Sequence, residues 1–244
     1  MPTPAKKRAT FRRLHETGCF VIPNPWDVGS ARMLQALGFP AIASTSSGMA
    51  WSSGRIDNEV PLEDALDHLA VLSDAVDVPL NADFENGYAD APEDVAANVR
   101  RALAAGVAGL SIEDMSHDPG KPLYETALAV ERVRAARAAV EAEGSGTVLV
   151  ARTEGMLHPE RDLAQALDRL VLFADAGADC LYAPGLTVAE LADLGVRRIS
   201  VGGALARSAW AGFLRAARQI AGEGRFDALA EAATGAELKA LLKP

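Results

Sequence analysis

Several features are scarce in this 244-residue chain, and each scarcity closes off a class of protein. No uninterrupted apolar stretch is long enough to span a bilayer. The early basic residues Lys6, Lys7, Arg8, Arg12 and Arg13 are not followed by an apolar h-region, so no signal peptide is expected. That cluster reads as the solvated face of a first helix. Positive charge is in deficit: a formal net charge of −9 and a pI near 5.0 speak against nucleic acid as a partner. The two cysteines, Cys19 and Cys180, form no disulfide framework. Both sit in apolar runs and read as reduced core thiols of a cytoplasmic protein. The histidines His15, His68, His117 and His158 lack the close spacings of a zinc site. No glycine-rich fingerprint follows the first strand-like run, where a dinucleotide fold needs it.

What is present is ordinary globular material, 49% hydrophobic and 23% charged, of a length that suits one undivided α/β domain. Short, apolar, β-branched runs suited to buried parallel strands occur at Cys19–Ile22, Ala41–Ser44, Pro79–Ala82, Gly109–Ile112, Val148–Ala151, Cys180–Tyr182 and Arg198–Val201. Amphipathic segments alternate with them: Ser30–Leu37, Leu62–Ala75, Pro92–Ala105, Leu123–Glu143, Leu163–Ala176 and Val188–Leu194. Asp90 with Glu93 reads as a capping box, Pro61 and Pro92 suit first turns, and Gly38, Gly106, Gly144 and Gly177 stand where helices should stop.

This alternation predicts a (β/α)8-type TIM barrel over residues 1–203, with its site at the C-terminal strand ends. A C-terminal helical extension follows over residues 204–244: a long helix, a break at Gly222-Glu223-Gly224, and short helices. Trp210, Phe213 and Leu214 would bury one face of it against the barrel or a neighbouring subunit. Seven strand-like runs are visible where a barrel needs eight. The shortfall, one βα unit at about the seventh strand, falls between Ala183 and Arg198.

The strand ends carry the chemistry. PLNADFENGYAD (Pro79–Asp90) and SIED (Ser111–Asp114) each run from apolar residues into acidic ones. Asp83, Glu85 and Glu113 should therefore meet at one rim, where a divalent cation and a small anionic substrate could be held. Thr45-Ser46-Ser47-Gly48-Met49 is either an oxyanion cradle of backbone N–H groups or an ordinary βα turn. Asp57 either adds a water-mediated carboxylate or enters a helix. Arg152 either clamps an anion with two prongs or pairs with Glu154 or Glu113. Tyr182 either orients substrate or packs with its hydroxyl at the rim. Asp27 could reach the site, with Trp26 wedging the barrel. Met115–Pro122, with His117 and Lys121, could close as a lid; an exposed loop histidine is the plainer reading of His117.

Taken together, FVIPNPWDVGSAR, TSSGMAW, NADFENGY, SIED, VARTEG, YAPG and RRISVGGALAR resemble the isocitrate lyase/phosphoenolpyruvate mutase superfamily, from about Phe11 into the tail. The resemblance implies a (β/α)8 barrel, Mg2+ (or Mn2+), a 2-oxo or enol acid, and C–C or P–C bond chemistry through an enolate-like intermediate. It gives the substrate's oxyanion groups to Ser47, Gly48 and Met49, the metal and its waters to Asp57, Asp83 and Glu113, and the substrate carboxylate to Arg152. It also implies a homotetramer, a dimer of dimers, whose C-terminal helices exchange between neighbours.

Departures from the family pattern narrow the chemistry. Asn81 stands where the lyases have a direct-metal aspartate, with Glu85 as a substitute ligand. Met115–Pro122 lacks the lyases' catalytic cysteine and the mutases' Lys-x-Asn-Ser loop, and Gly185 stands near a family glutamate. Three functions follow. The first is a Mg2+-dependent lyase, decarboxylase or hydrolase cleaving a C–C bond in a small 2-oxo or 2-hydroxy dicarboxylic acid. The second is P–C chemistry of the phosphonopyruvate or carboxyvinyl-carboxyphosphonate type. The third is a metabolite-binding barrel without turnover.

Overall fold

The computed structural model describes residues 1–157, 162–184 and 198–242. In chain order the elements are α1 Pro4–Leu14, β1 Phe20–Ile22, α2 Val28–Ala36, β2 Ile42–Ala43, α3 Ser46–Ser52, α4 Leu62–Ala75, β3 Leu80–Asp83, α5 Pro92–Ala104 and β4 Gly109–Glu113. Then come α6 Thr126–Ala142, β5 Val148–Arg152, α7 Leu163–Asp175, β6 Cys180–Tyr182, β7 Arg198–Ser200, α8 Ala204–Glu223 and α9 Gly235–Leu241.

The strands are all parallel. β2 to β6 pair in sequence order and β1 pairs with β7. One backbone bond, Ala43 N–H to the Pro23 carbonyl at 3.0 Å, ties the end of β1 to β2. Among the described residues no pairing joins β6 to β7. The sheet is thus a curled parallel half-barrel, and the closed eight-strand ring is not what these strands form. The expected seventh-strand gap, the helix Val188–Leu194 and Gly185 lie outside the described residues.

Period-two alternation sorts the strands' side chains. Ala82, Leu110, Ile112, Leu149 and Ala151 face outward into the main core. There they meet helix stripes such as Val95, Val99, Ala102 and Leu103 of α5. A second, interior cluster holds Ile22, Ala43, Val148 and Val150, closed from below by Phe11 of α1. Gly109 is needed at that closure, because a Cβ there would lie 2.4 Å from the Phe11 ring. The same alternation turns Asp83, Glu113 and Arg152 inward at the C-terminal rim.

Local signals mostly took the form the sequence suggested. Pro92 occupies the first turn of α5, and Gly106 and Gly177 follow α5 and α7 in left-handed backbone. Others did not. Pro61 is the N-cap of α4, and the Asp90–Glu93 capping box is not made. Asp90 instead accepts a hydrogen bond from the Tyr124 hydroxyl.

The basic first helix is solvated at Lys6, Arg12 and Arg13, as expected, but not at Lys7 and Arg8. Lys7 is only 5% exposed, and its Nζ donates to the Ser73 and Val76 carbonyls, each at 2.6 Å, at the end of α4. Arg8 does the same beyond α5, to Leu103 and Val107. A helix C-terminus leaves carbonyls unpaired, and cations satisfy them. Cys19 is exposed and Cys180 half-buried; both are free thiols, but neither is a core one.

The tail runs as α8 through Gly222 to a left-handed stop at Gly224, then a 3-10 turn at Asp227–Glu231 and α9. Only Ala206 of α8 is buried. Phe213 is 60% exposed, so the tail's apolar face is not covered within one chain.

Candidate active site

β3, β4 and β5 deliver three inward side chains side by side. Arg152 lies beside Glu113 in the β4–β5 register, and Tyr182 beside Arg152 on β6. The Arg152 guanidinium pairs with Glu154, lies 3.4 Å from Glu113 Oε2 and 3.5 Å from Asp83 Oδ1, and stands 5.3 Å from the centroid of the Tyr182 ring. Burial acts to lower its pKa, but Glu113, Asp83 and Glu154 outweigh that and hold it above its ordinary value. Arg152 therefore makes the ion pairs that competed with the anion clamp. A substrate carboxylate would have to share it.

The acids around it repel one another. Burial pushes the Glu113 carboxyl well up; Arg152 opposes this, and Glu154, Asp83 and Glu85 add to it. Glu154 is also raised by burial. Glu85, 3% exposed, is pushed up to about 7 by burial and by Asp83. Asp57 is raised by burial and Asp83, and its Oδ1 is buried without a hydrogen-bond partner. Asp57 lies in the loop between α3 and α4 and is not a helix N-cap.

Asp83 itself is anchored: its Oδ2 accepts from the Ser46 N–H at 3.0 Å and the Ser46 hydroxyl at 3.2 Å. Asn81, two residues earlier on the same face, turns away from this ring. Its Oδ1 accepts from Arg198 at 3.4 Å, and its amide nitrogen donates to the Ala82 carbonyl. Just past β4, buried Asp114 accepts from the Thr153 hydroxyl, the Glu154 N–H and Arg169 of α7, fixing the strand end that carries Arg152.

The segment Thr45–Met49 folds as the start of α3, with Thr45 as N-cap. The Gly48 N–H donates to Thr45 Oγ1 at 3.3 Å, and the Met49 N–H to the Thr45 carbonyl at 3.0 Å. Service as oxyanion donors would require these bonds to be given up. The Ser47 hydroxyl lies 3.0 Å from Thr45 Oγ1. Asp27 caps α2 in a capping box with Ser30. The Met115–Pro122 loop is a small hairpin, bridged between Met115 and Leu123, with His117 exposed.

Sequence reasoning passed over Tyr88 and took Glu154 only as a counter-ion. The Tyr88 hydroxyl donates to Glu85 Oε1 at 3.1 Å. Asn58, Glu85 and Tyr88 are the positive-φ non-glycine residues among those described, and all three sit in loops at this rim. Such strain concentrates at functional sites.

A curled parallel sheet that gathers buried carboxylates about an arginine at its C-terminal rim defines an α/β enzyme for small anionic substrates. The family model of phosphoenolpyruvate phosphomutase matches residues 11–188, and the chain belongs to that family, within the isocitrate lyase/phosphoenolpyruvate mutase superfamily. An uncharacterised Mycobacterium tuberculosis protein is 31% identical over 220 residues, covering 79% of this chain and 81% of that one. A crystal structure provisionally assigned as a lyase/mutase, from Burkholderia cenocepacia J2315, shares 42% identity at a TM-score of 0.93, covering 97% of this chain and 96% of its own. The structure of 2,3-dimethylmalate lyase, a superfamily member, shares 27% identity at a TM-score of 0.81 and covers 99% and 95%.

Proposed function

We propose that this enzyme cleaves a C–C bond in a small 2-oxo or 2-hydroxy dicarboxylic acid through an enolate-like intermediate, with Mg2+ or Mn2+ as cofactor. The observation that carries this reading is the crowding of Asp57, Asp83, Glu85 and Glu113 around Arg152, with Asp57 Oδ1 buried and unpartnered. Among the described residues no three acidic, imidazole or thiolate groups form a ready chelate. A loose ring of oxygen donors with a spare buried oxygen nonetheless fits a hard cation that keeps several of its waters. Asp83, Glu85 and Glu113 would hold it, with Asp57 acting through water. When bound, the cation supplies Lewis-acid stabilisation of developing negative charge.

The chain's own groups do the rest. Arg152, already aimed at the ring, takes the substrate carboxylate, and its longer contacts to Asp83 and Glu113 are the ones that yield. Glu113 and Asp57, both held above ordinary carboxylate pKa values, are placed to take up or give a proton. Tyr182 stands beside Arg152, and Ser47, Gly48 and Met49 would take the substrate's oxygens once the Gly48 and Met49 amides release Thr45. The likeness to 2,3-dimethylmalate lyase supports C–C cleavage. The phosphoenolpyruvate phosphomutase family model supports P–C chemistry as the second reading.

The half-barrel is read as an eight-strand barrel lacking its seventh βα unit. The barrel domain is taken as 1–203 and the helical extension as 204–244, exchanged between subunits of a cytoplasmic homotetramer. The uncovered apolar residues of α8 support that exchange, and no described helix is long and apolar enough to cross a membrane.

Incubation with Mg2+ and a panel of oxaloacetate, alkyl-substituted malates and phosphonopyruvate tests the reading. Release of a 2-oxo acid or oxalate from the dicarboxylates is expected. Turnover of phosphonopyruvate alone would move the enzyme to P–C chemistry, and consumption of none of them would sink both.

A further inference from the structure

The loop Asn86–Asp90 is held through every one of its carbonyls by two side chains. Arg132 of α6, 1% exposed, donates from Nη2 to the Asn86 carbonyl and from Nη1 to those of Ala89 and Asp90. Asn98 of α5 donates to the carbonyls of Gly87 at 3.0 Å and Tyr88 at 3.3 Å. The Arg132 guanidinium also lies 4.1 Å from the centroid of the Tyr124 ring, whose hydroxyl accepts from Asn86 and donates to Asp90. A surface turn needs nothing like this. Gly87 and Tyr88 in the loop, and Glu85 just before it, carry left-handed backbone, a conformation that glutamate and tyrosine adopt only under constraint.

We propose that Arg132 and Asn98 are positioning residues whose task is to deliver Glu85 into the acidic ring; this rests on the reading of that ring as a metal site. The need is visible on β3. Asn81 faces Arg198 and gives the ring no charge, so after Asp83 the next acid must come from a loop. The Glu113 N–H already holds the Glu85 carbonyl at 2.9 Å, so the clamp's part is to fix the turn that follows, without which the Glu85 side chain could swing out to water. The clamp keeps its carboxylate 3.1 Å from the Tyr88 hydroxyl and buried beside Asp83. Ligand affinity at this site would then depend on side chains of α5 and α6 that reach the loop next to Glu85.

The test is Mn2+ affinity, read by the EPR signal of free Mn2+ in the presence of oxalate, for wild type, Glu85→Gln, Arg132→Lys, Asn98→Ala and each clamp change combined with Glu85→Gln. Each clamp variant should weaken binding on the order of tenfold or more, the range typical of groups that orient metal ligands. Added to Glu85→Gln, a clamp change should cost little further, because both act through the same carboxylate. Asn98→Ala keeps the test open should Arg132→Lys fail to fold. Additive losses, or clamp variants that bind as wild type while Glu85→Gln is weakened, would overturn the clamp alone. Wild-type affinity in Glu85→Gln overturns the assignment of Glu85 and the clamp with it. A wild type that binds no Mn2+ removes the metal site itself.

Discussion

The Tyr88 hydroxyl donates a hydrogen bond to Glu85 Oε1 across 3.1 Å, and both residues hold left-handed backbone, at φ 55° and 46°. Each such conformation costs about 1–2 kcal/mol in a non-glycine residue. The hydroxyl stabilises the ionised carboxylate, while burial and Asp83 oppose ionisation more strongly. Glu85 is thus half-protonated near neutrality in the metal-free protein.

That balance fixes a sign for stability against pH. The folded pKa of about 7 lies above the ordinary 4.5, so between those values the folded state binds the extra proton. Stability of the metal-free wild type should therefore fall as pH rises from about 4.5 through 7, by on the order of 2–3 kcal/mol. Glu85→Gln removes the titrating group. Urea denaturation in chelator should find the variant close to wild type near pH 4.5 and more stable at pH 8. Parallel curves across the whole range would contradict it.

Arg152 is held by Glu154, Glu113 and Asp83. An ammonium at the same place cannot reproduce a planar, multi-pronged grip. Arg152→Lys should lower oxalate affinity, measured by calorimetry with Mg2+, by about tenfold or more, since a charge-assisted bond is worth about 1.5–3 kcal/mol. Equal affinity would assign Arg152 to architecture alone.

At the other end of the barrel, Lys7 closes the α4 terminus with two short bonds to backbone carbonyls. Lys7→Met keeps the apolar stem and removes the donor, leaving buried carbonyls unpaired. Chemical denaturation should show a loss of about 1–3 kcal/mol. Mn2+ affinity at the distant rim should stay as it was, and a loss there would mean that α1 does more than close the base.

Much of this fold was legible because parallel strands buried on both faces leave short β-branched runs, and helix ends leave glycines. Period-two alternation alone carried Asp83, Glu113 and Arg152 to one rim. What could not be read is what depends on partners far away in the chain. Within the basic run, Lys7 and Arg8 look as solvated as Lys6, Arg12 and Arg13 until the carbonyls of α4 and α5 are seen beneath them. Thr45–Met49 could be read as a cradle or as an ordinary turn, because its amides' intrahelical partners appear only once α3 forms. Glu85 was legible as an acid, but its strained backbone and the hold of Arg132 were not, because that arginine lies 47 positions further along the chain.

The tail offers a prediction about assembly. Along the 20 residues of α8 only Ala206 is buried, while Phe213, Leu214 and Ile220 stay 60%, 41% and 39% exposed, and Phe226 beyond it 63%. Large apolar side chains repeated along one helix and left facing water mark a surface that another element covers. Burying a phenylalanine stabilises an interface by about 1.5–3 kcal/mol, and each subunit of a symmetric assembly contributes one. Light scattering should therefore find wild type well above the 25.6 kDa of one chain. Phe213→Asp, a change at an exposed position that the monomer tolerates, should shift it towards that mass with unchanged helical content by circular dichroism. A wild type that is monomeric at micromolar concentration would end the case for exchanged helices.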